Sequence, residues 1–484
     1  MSTESQPASP DVDHDRLPPH RKNLAVAVVA FCSLLTPMAS TTVLAAVPEL
    51  VETYHTDAEV INLSNAFYML FMGLSPLQWG RLLNFTVMIT SAAPFFLFNI
   101  LTALAPTLAA FYAFRILTAY PSTAFLILGQ SIVGDMYAPT KRGTATGYIL
   151  TGTLIGPALG PFIGGITVNY NDWRSIIWLQ TALAGLAAAL LWGLLPETSL
   201  HKGSEELEGL QGREKVAAVL ERLNPLRVVR LYRYPNLLIT AIASGALVWN
   251  MYSLLTLIRY VLNPRFDLES PLQAAFFYIA PGAGYLLGMQ FGGKVADWMV
   301  KTWIMKRGGE RIPGDRLITC VPFIGLMIPV CMFVYGWSVE REVGGMAVPV
   351  VVMFVQGVAQ LFCFPALNSY CTEVMEERSA EVVASNYIIR YIFAALASGL
   401  CLPIIRETGV GWLSTVTGTL LVISTIGICF TIRFGKDWRE KRDVGDAEAD
   451  AVQEVAVEPK ETPSESSSPR SSSGAEGDKE LEAV

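Results

Sequence analysis

The run LAGLAAALLWGLL at residues 183–195 contains no charged side chain and no alternation of apolar with polar residues. A strand of a membrane barrel alternates over about ten residues, so this run favours a membrane-spanning helix. About 20 mostly apolar residues let a helix cross a bilayer, whose hydrocarbon satisfies no backbone hydrogen bonds. Twelve segments are of this kind: residues 24–46, 60–80, 86–106, 108–132, 144–168, 174–195, 236–258, 272–292, 317–337, 346–367, 381–403 and 412–432.

The composition supports one membrane-embedded body. Hydrophobic types make up 52% of the 484 residues and charged types only 16%, and the mean hydropathy is +0.41. Soluble proteins carry about 25% charged residues, so lipid rather than water is expected to surround most of the chain. No basic patch with interleaved aromatic side chains indicates nucleic-acid binding.

The Lys and Arg residues predict the orientation. With the N-terminus in the cytoplasm, 25 of them fall in inner loops and near tails, and five fall in outer loops. Cytoplasmic loops are enriched in these residues. We therefore predict that both termini are cytoplasmic, and an even number of spans requires them to share a side.

The twelve spans divide into two groups of six, which predicts an all-α membrane protein built from two halves. The predicted segments are a disordered N-terminal tail at 1–23, a six-helix half at 24–195, a cytoplasmic linker at 196–235, a second six-helix half at 236–432 and a disordered, acidic, Ser-rich tail at 433–484. Apolar residues spaced between 207 and 223 predict a short surface helix in the linker.

Two positive charges lie inside predicted spans, Arg115 in the fourth and Arg390 in the eleventh. A charge near the bilayer centre costs at least about 2.5 kcal/mol, so we expect both to face a polar cavity between the halves. The alternative is a structural cation bonded to helix carbonyls. No Asp or Glu lies in the middle of a span, and two uncompensated cations favour an anionic or acceptor-rich ligand.

Polar side chains in the second half are candidates for the same pathway. Asn386 lies four residues before Arg390 and therefore shares its helix face. The other candidates for the substrate or proton pathway are Asn250, Gln356, Gln360 and Asn368. Such groups often only join neighbouring membrane helices, so packing is an equal alternative for each one.

The fifth span carries glycines at every fourth position: Gly152, Gly156, Gly160 and Gly164. This spacing makes one smooth helix face, which a neighbouring helix can approach closely. Pro157 and Pro161 remove backbone donors and favour a bend. We predict that this closely packed helix acts as a pivot, together with the adjoining Gly165.

No feature of the sequence indicates an enzyme. The seven cysteines lie in or near apolar segments without CxxC spacing, and the four histidines lie outside the spans and do not cluster. Neither set has the spacing of a zinc site, and no nucleophile with a nearby base is apparent in the loops. We therefore expect no catalytic residue, no metal and no cofactor.

Several groups of residues occur in the order typical of a known family. They are Arg115 followed by Gly134-Asp135 and Arg142-Gly143-Thr144, then Gly156-Pro157 through Gly164-Gly165, Asp172-Trp173-Arg174 with Trp178-Leu179-Gln180, Gly293-Lys294-Val295-Ala296-Asp297, Arg311-Ile312-Pro313-Gly314-Asp315-Arg316-Leu317, and Asn386 with Arg390. Over residues 24–435 this pattern resembles the major facilitator superfamily, and in particular its fungal twelve-span drug:proton antiporter branch.

The resemblance implies two pseudo-symmetric halves around a cavity that opens to each side of the membrane in turn. It implies efflux of a drug, a secondary metabolite or an organic acid such as itaconate, driven by the proton gradient with no bound cofactor. It gives Arg115 a proton-relay or substrate role and Asp297 a gating role at the cytoplasmic face. The same motifs imply gating roles for Asp135, Arg142 and Gly293.

The implied partners are a small-molecule substrate, protons and the lipid bilayer, with the protein acting as a monomer in the plasma membrane. Two other functions stay open at this point. One is proton-coupled or facilitated uptake of a nutrient, because motifs do not give the direction of transport. The other is a non-transporting membrane sensor.

The first-half gate loop departs from the family pattern. It reads Trp79-Gly80-Arg81-Leu82-Leu83-Asn84-Phe85-Thr86, which is a few residues short and lacks the usual acid and basic pair. Either this copy of the loop has diverged, or a short coding segment is missing from the sequence.

Lengthening this loop tests its importance. We expect that a family-length loop with the acid and the basic pair, inserted between Gly80 and Phe85, raises transport because it restores a gate contact. Efflux from cells with equal amounts of both proteins at the membrane is the measurement. Unchanged efflux would count against the prediction.

Overall fold

The computed structural model describes residues 18–79, 85–137, 142–194, 226–268, 270–309, 312–375 and 378–457. Within these ranges the ordered elements are all helical, with no β-strand. We number the long helices α1 Pro19–Tyr54, α2 Ala58–Gln78, α3 Phe85–Ala103, α4 Leu108–Met136, α5 Arg142–Tyr170, α6 Arg174–Leu194, α7 Pro235–Arg265, α8 Pro271–Lys306, α9 Asp315–Glu340, α10 Ala347–Val374, α11 Ser379–Thr408 and α12 Val410–Val457.

Three of these helices contain a short change of helical type. The changes are a 3₁₀ turn at Val43–Ala46 in α1 and π-helical turns at Ile258–Leu262 in α7 and Phe323–Met327 in α9.

The described part of the linker adds a short helix, Leu226–Arg230, and a 3₁₀ turn, Leu231–Arg233. The predicted linker helix between residues 207 and 223 lies outside the described residues.

Eleven of the described helices are long and apolar enough to cross a membrane. The remaining one, α3, has 19 residues and a shorter apolar stretch at Met88–Ala103. Each of the twelve predicted spans therefore coincides with a helix, and the predicted all-α membrane fold is confirmed.

Several predicted boundaries were wrong, because hydropathy marks only the apolar part of a helix. α8 continues to Lys306, well beyond the predicted end at residue 292. α12 continues to Val457, although residues 433–484 were predicted to be disordered. Residues 19–23 of the predicted N-terminal tail form the first turn of α1. Charged residues such as Lys, Arg and Glu are good helix formers, so a helix continues into water where hydropathy no longer reports it.

The described residues as far as Trp438 form one compact unit, which contains both predicted halves. A second unit begins at Arg439, and its described part, residues 439–457, is a single helical segment.

Helix packing within the first unit defines the halves. In the N-terminal half α1 packs along α5, and α3 packs against α4 and α6. In the C-terminal half α8 packs along α10, and α7 packs along α11. The halves meet where α2 lies on α11 and where α5 lies on α8. We call the end of the bundle at which α1 begins the inner end, and the opposite end the outer end.

The glycine face of α5 packs directly on the backbone of α1, as the spacing predicts. A Cβ atom at Gly152 would lie 2.5 Å from the carbonyl oxygen of Ala30, and one at Gly156 would lie 2.9 Å from that of Leu34. Farther along, Gly160 lies against Met38, and Gly164 lies against Thr42 in the same way. α5 runs unbroken through Pro157 and Pro161.

A second glycine face joins α8 to α10. A Cβ atom at Gly288 would lie 2.6 Å from the carbonyl oxygen of Val358, and one at Gly292 the same distance from that of Leu361. Gly284 contacts α10 one turn earlier. This face has the same four-residue spacing as the face on α5, so the sequence carries a readable signal for it as well. Gly165 differs, because it faces Ala275 of α8 across the two halves.

The α1–α5 contact can be tested with single alanines. A Cβ atom at Gly160 would lie 2.7 Å from the carbonyl oxygen of Met38, so we expect Gly160→Ala to destabilise the protein by about 1–3 kcal/mol. Gly147 lies on the same helix, and a Cβ atom there meets nothing within 4 Å. Gly147→Ala is therefore the control, and thermal unfolding in detergent is the measurement. Equal stability of the two variants would contradict the close contact.

Candidate functional site

A cavity of about 920 Å³ lies between α1 and α5 and reaches α8. Its wall is formed by Asn23, Val26, Ala27, Ala30, Phe31, Leu34, Tyr137, Tyr148, Thr151, Gly152, Ile155, Leu159 and Leu286. Pockets for small molecules typically measure about 300–1,000 Å³. The cavity is therefore large enough for a small organic compound.

The cavity is polar at its inner end and apolar farther in. Asn23 lies one turn into α1, Tyr137 directly follows α4, and the Tyr137 hydroxyl donates to Asn23 Oδ1 at 3.4 Å. Lys22 Nζ lies 5.6 Å from the centroid of the Tyr137 ring. The deeper wall consists mainly of aliphatic side chains and Phe31. A compound with an apolar body and a polar end matches this arrangement.

Arg115 on α4 is enclosed by aromatic rings and an amide. Its Nη2 donates to Asn65 Oδ1 at 3.0 Å. The guanidinium carbon lies 4.8 Å from the ring centroid of Tyr68 and 5.6 Å from that of Phe111. Only 2% of the residue is exposed. Cation–π contacts of this kind stabilise a charge that has lost its water.

Arg390 on α11 has a matching environment in the other half. Its Nη2 donates to Asn368 Oδ1 at 2.6 Å and to Ser244 Oγ at 3.2 Å. Its guanidinium carbon lies 5.0 Å from the ring centroid of Phe364 and 5.5 Å from that of Tyr387. Both arginines are thus held by side chains, whereas helix carbonyls were the structural alternative.

The two arginines share a further property. Neither forms an ion pair within the part of the chain that the structure describes, and the Nε of each is buried without a hydrogen-bond partner there. Neither arginine lines the cavity between α1 and α5. We expected both arginines to face a polar cavity between the halves, but the cavity between α1 and α5 is not that cavity. The expected positive charge without a carboxylate partner is present among the described residues.

The amide that binds Arg390 lies on a neighbouring helix and not on the helix of Arg390 itself. Asn386 shares a helix face with Arg390, so it was a candidate either to accept from the guanidinium or to donate to substrate. Instead, Asn386 Nδ2 lies 3.8 Å from Cys371 Sγ, and Asn368 on α10 binds the guanidinium. The guanidinium therefore binds a side chain of the neighbouring helix, and a role of Asn386 towards the substrate stays a prediction.

Three candidate amides on α7 and α10 have unused hydrogen-bonding capacity. Asn250, Gln356 and Gln360 are at most 1% exposed. Gln360 Nε2 donates to the carbonyl oxygen of Leu247 at 3.5 Å, whereas neither polar atom of Asn250 or Gln356 has a partner among the described residues. An unsatisfied buried polar group costs about 1–3 kcal/mol, so a polar ligand reaching these amides would be stabilised.

Polar contacts join the two halves near the outer end. Asn65 Nδ2 donates to Ser398 Oγ at 3.1 Å, and Asn62 Nδ2 donates to the Tyr260 hydroxyl at 3.1 Å. On the α5–α8 side, Ser270 Oγ donates to Asn169 Oδ1 at 2.6 Å. Glu59 and Arg406 form an ion pair beside the first two contacts. These contacts hold the outer ends of the halves together, and no pattern along the sequence pointed to them.

At the inner end, the candidate gate residue Asp297 belongs to a charged cluster. Arg316 lies 3.6 Å from the Asp297 carboxylate and donates through Nε to Glu373 Oε1 at 2.6 Å. This cluster ties the ends of α8, α9 and α10 within one half. A Cβ atom at Gly293 would meet nothing within 4 Å, so close packing does not require a glycine there.

Two other predicted gating residues lie partly outside the described structure. Asp135 belongs to α4 and Arg142 begins α5, but their side chains are not among those described, and neither are residues 80–84 of the short loop. Among the described residues, no three His, Cys, Asp or Glu side chains lie close enough to hold a metal ion. The gating and pivot roles of the candidate residues stay predictions.

Twelve long helices in two halves, eleven of them apolar enough over a sufficient length to cross a membrane within the described residues, surround a cavity of ligand size and enclosed charges, which is the architecture of a membrane transporter. The model of the Major Facilitator Superfamily matches residues 29–398, and the chain belongs to that superfamily. The resemblance inferred from the motifs is therefore confirmed.

Curated relatives include fungal drug and metabolite transporters. The chain is 24% identical to dityrosine transporter 1 of Saccharomyces cerevisiae, over 91% of this chain and 85% of that protein. It is 25% identical to the multidrug transporter DTR1 of Candida glabrata, over 88% and 87%. It is 22% identical to the MFS-type transporter tstD of Talaromyces stipitatus, over 87% and 83%.

Solved structures share the fold. The human organic anion transporter MFSD10 (TETRAN) superposes with a TM-score of 0.61 at 16% identity, over 85% of this chain and 100% of that one. A D-xylose–proton symporter superposes with a TM-score of 0.60 at 14% identity, over 84% and 97%.

The buried arginines provide the test of the site. We expect Arg115→Ala and Arg390→Ala each to reduce transport more than about tenfold, because each removes a charge-assisted contact worth about 1.5–3 kcal/mol. Transport per molecule at the membrane is the measurement. Arg341→Ala is the control, since Arg341 is exposed at the end of α9. Unchanged flux from both variants would discard the functional role of the buried cations.

Proposed function

We propose that this protein is a proton-coupled exporter of a small organic compound that carries a hydrogen-bond acceptor or an acidic group. It alternates between a conformation open at the inner end and one open at the outer end. The proton gradient supplies the energy, and a proton moves inward as the compound moves outward. The protein acts as a monomer in the plasma membrane, with both termini in the cytoplasm.

The observation that carries the proposal is the cavity between α1 and α5. It begins at the inner end beside Asn23 and Tyr137, while polar contacts join the halves near the outer end. The substrate-free state of an exporter needs a cavity that is accessible from the inner end and an outer end that is closed. The compound must enter from the cytoplasm before the outer end opens.

The chemistry of the interior supports the substrate class. The deeper cavity wall is apolar, which suits an aliphatic or aromatic body. The buried guanidiniums of Arg115 and Arg390 have no carboxylate partner among the described residues, and each keeps an unused Nε donor. A buried donor gains most from a ligand that supplies an acceptor oxygen. A bare organic cation would be repelled by the same charges.

The relatives agree with this direction of transport. Those named for multidrug and dityrosine transport match nearly the whole chain, and another relative is named quinidine resistance protein 3. Resistance to a drug is the expected result of exporting it. We carry over the direction and the broad class of cargo, and none of the particular compounds.

The function can be tested without knowing the cargo. Metabolite profiling of the medium compares cells that overproduce the protein with cells that lack it, and identifies any compound that differs. We expect such a compound to be enriched outside overproducing cells. One proton exchanged across a pH difference of one unit sustains about a tenfold concentration ratio. A protonophore should therefore lower the ratio of external to internal compound by at least about tenfold, because it removes the membrane potential as well as the pH difference.

Cells producing the Arg115→Ala protein serve as the matched control for expression, because this variant is expected to transport more than about tenfold less. Accumulation of the compound inside overproducing cells would replace export with uptake. Export that persists after the gradient collapses would remove proton coupling. Profiles that do not differ at all would favour a non-transporting sensor.

A further inference from the structure

The amide of Asn65 makes one hydrogen bond in each half of the protein. Its Oδ1 accepts from Arg115 Nη2 at 3.0 Å within the N-terminal half. Its Nδ2 donates to Ser398 Oγ at 3.1 Å on α11 of the C-terminal half. Asn65 and Ser398 are each 1% exposed. A single planar side chain thus connects a buried cation to the interface between the halves.

The surroundings fix the direction of both bonds. Arg115 is held between the rings of Tyr68 and Phe111, so its Nη2 cannot follow the amide if the amide turns. Ser398 Oγ lies 3.5 Å from the carbonyl oxygen of Asn62, one turn from Asn65 on α2. The amide can make both bonds only while α11 lies against the outer part of α2.

We propose that Asn65 is a positioning residue that couples the occupancy of Arg115 to the closure of the outer end. This inference rests on the proposed export function. An acceptor group of the cargo that takes Arg115 Nη2 displaces Asn65 Oδ1. The freed amide is no longer aimed at Ser398, so the bond across the halves weakens and the outer end opens. When the cargo leaves, Arg115 recaptures the amide and the outer end closes again.

The energies favour this order of events. Asn65 Oδ1 is the one side-chain acceptor that Arg115 uses within the described residues, and Arg115 Nε has no partner there. An anionic or carbonyl oxygen can satisfy both nitrogens, whereas the amide satisfies one. The bond to Asn65 is already charge-assisted by the guanidinium, but a carboxylate can pair with it through two N–H donors and adds the attraction of opposite charges, so it competes successfully with the amide oxygen.

The other contacts at the outer end are made by different side chains. Asn62 with Tyr260, Asn169 with Ser270, and Glu59 with Arg406 close the same end through residues other than the guanidinium and its amide partner. They add to closure whether or not Arg115 is occupied. Asn65 differs because it binds both the cation and the opposite half.

The test measures closure of the outer end directly and needs no cargo. Glu59 and Arg406 face each other across the halves, so Glu59→Cys with Arg406→Cys provides a cross-linking pair. Cys429 is exposed and is replaced by serine in this background. The membrane-embedded full-length protein is treated with a bifunctional thiol reagent long enough to bridge the former ion pair, because two such long side chains need not bring their Cα atoms to disulfide distance. The fraction cross-linked at a fixed time reports how often the outer end is closed.

Three variants are then compared in this background. Asn65→Ala removes both bonds of the amide, and Arg115→Gln removes the charge that aims it. Ser398→Ala removes the contacts across the halves with Asn65 and with the Asn62 carbonyl oxygen but keeps the Arg115–Asn65 bond. We expect each to lower the ratio of closed to open outer ends, derived from the cross-linked fraction, about fivefold, as the loss of one buried hydrogen bond predicts. Asn99→Ala is the matched control, because Asn99 is similarly buried and its amide donates to Phe95 of its own helix. It should leave cross-linking unchanged.

A double variant shows whether Arg115 acts on the outer end through Asn65 or independently of it. If Arg115 acts through Asn65, the Asn65→Ala/Arg115→Gln double variant should cross-link no less than either single variant. An additive loss, or normal cross-linking in Arg115→Gln, would overturn the coupling. The cross-linking result is independent of export. If the variants cross-link as expected but the protein exports nothing, the coupling is supported and the proposed function is contradicted. If the protein exports a compound but the variants cross-link normally, the proposed function is supported and the coupling is contradicted.

Discussion

Hydrocarbon neither donates nor accepts hydrogen bonds, and the architecture of this protein follows from that constraint. Backbone groups in the membrane must bond within their own helix, which leaves side chains as the means of joining helices. A buried charge must likewise find its partners inside the protein. Arg115 and Arg390 find them in amides, a hydroxyl and aromatic rings, and no carboxylate among the described residues cancels their charge. The positive charge of the two side chains therefore stays uncompensated by any acid among the described residues, and an acceptor group would be attracted to it.

Two kinds of helix contact serve different purposes. Within a half, glycine faces bring backbones together, as Gly156 does on α1 and Gly288 does on α10. Such contacts rely on shape, and they are lost abruptly when the helices separate. Between the halves near the outer end, the contacts are single hydrogen bonds and an ion pair. Polar groups can exchange partners with water, so these contacts can open and close while each half keeps its packing.

Some of the site was predictable because a single residue type carried the signal. A charge in an apolar span is conspicuous, so Arg115 and Arg390 were found, as was the glycine face of α5. The partners were not, because hydrogen bonds in a helical bundle join helices that are remote in sequence. Ser398 lies more than 300 residues from Asn65, and no local pattern connects them. Helix-face spacing placed Asn386 beside Arg390, whereas the amide that binds the guanidinium, Asn368, lies on another helix.

The sequence by itself determined the membrane environment, the number of spans, their division into two groups of six helices and the family. Hydropathy and short motifs depend only on residues that are close together in the sequence. Tertiary structure decided which faces meet, where the cavity lies and what surrounds each arginine. The physical reason is that every uncharged membrane helix is apolar on most sides, so hydropathy does not say which side faces protein. Only the packed bundle brings Asn65 between Arg115 and Ser398, where one amide connects a buried charge to the interface between the halves.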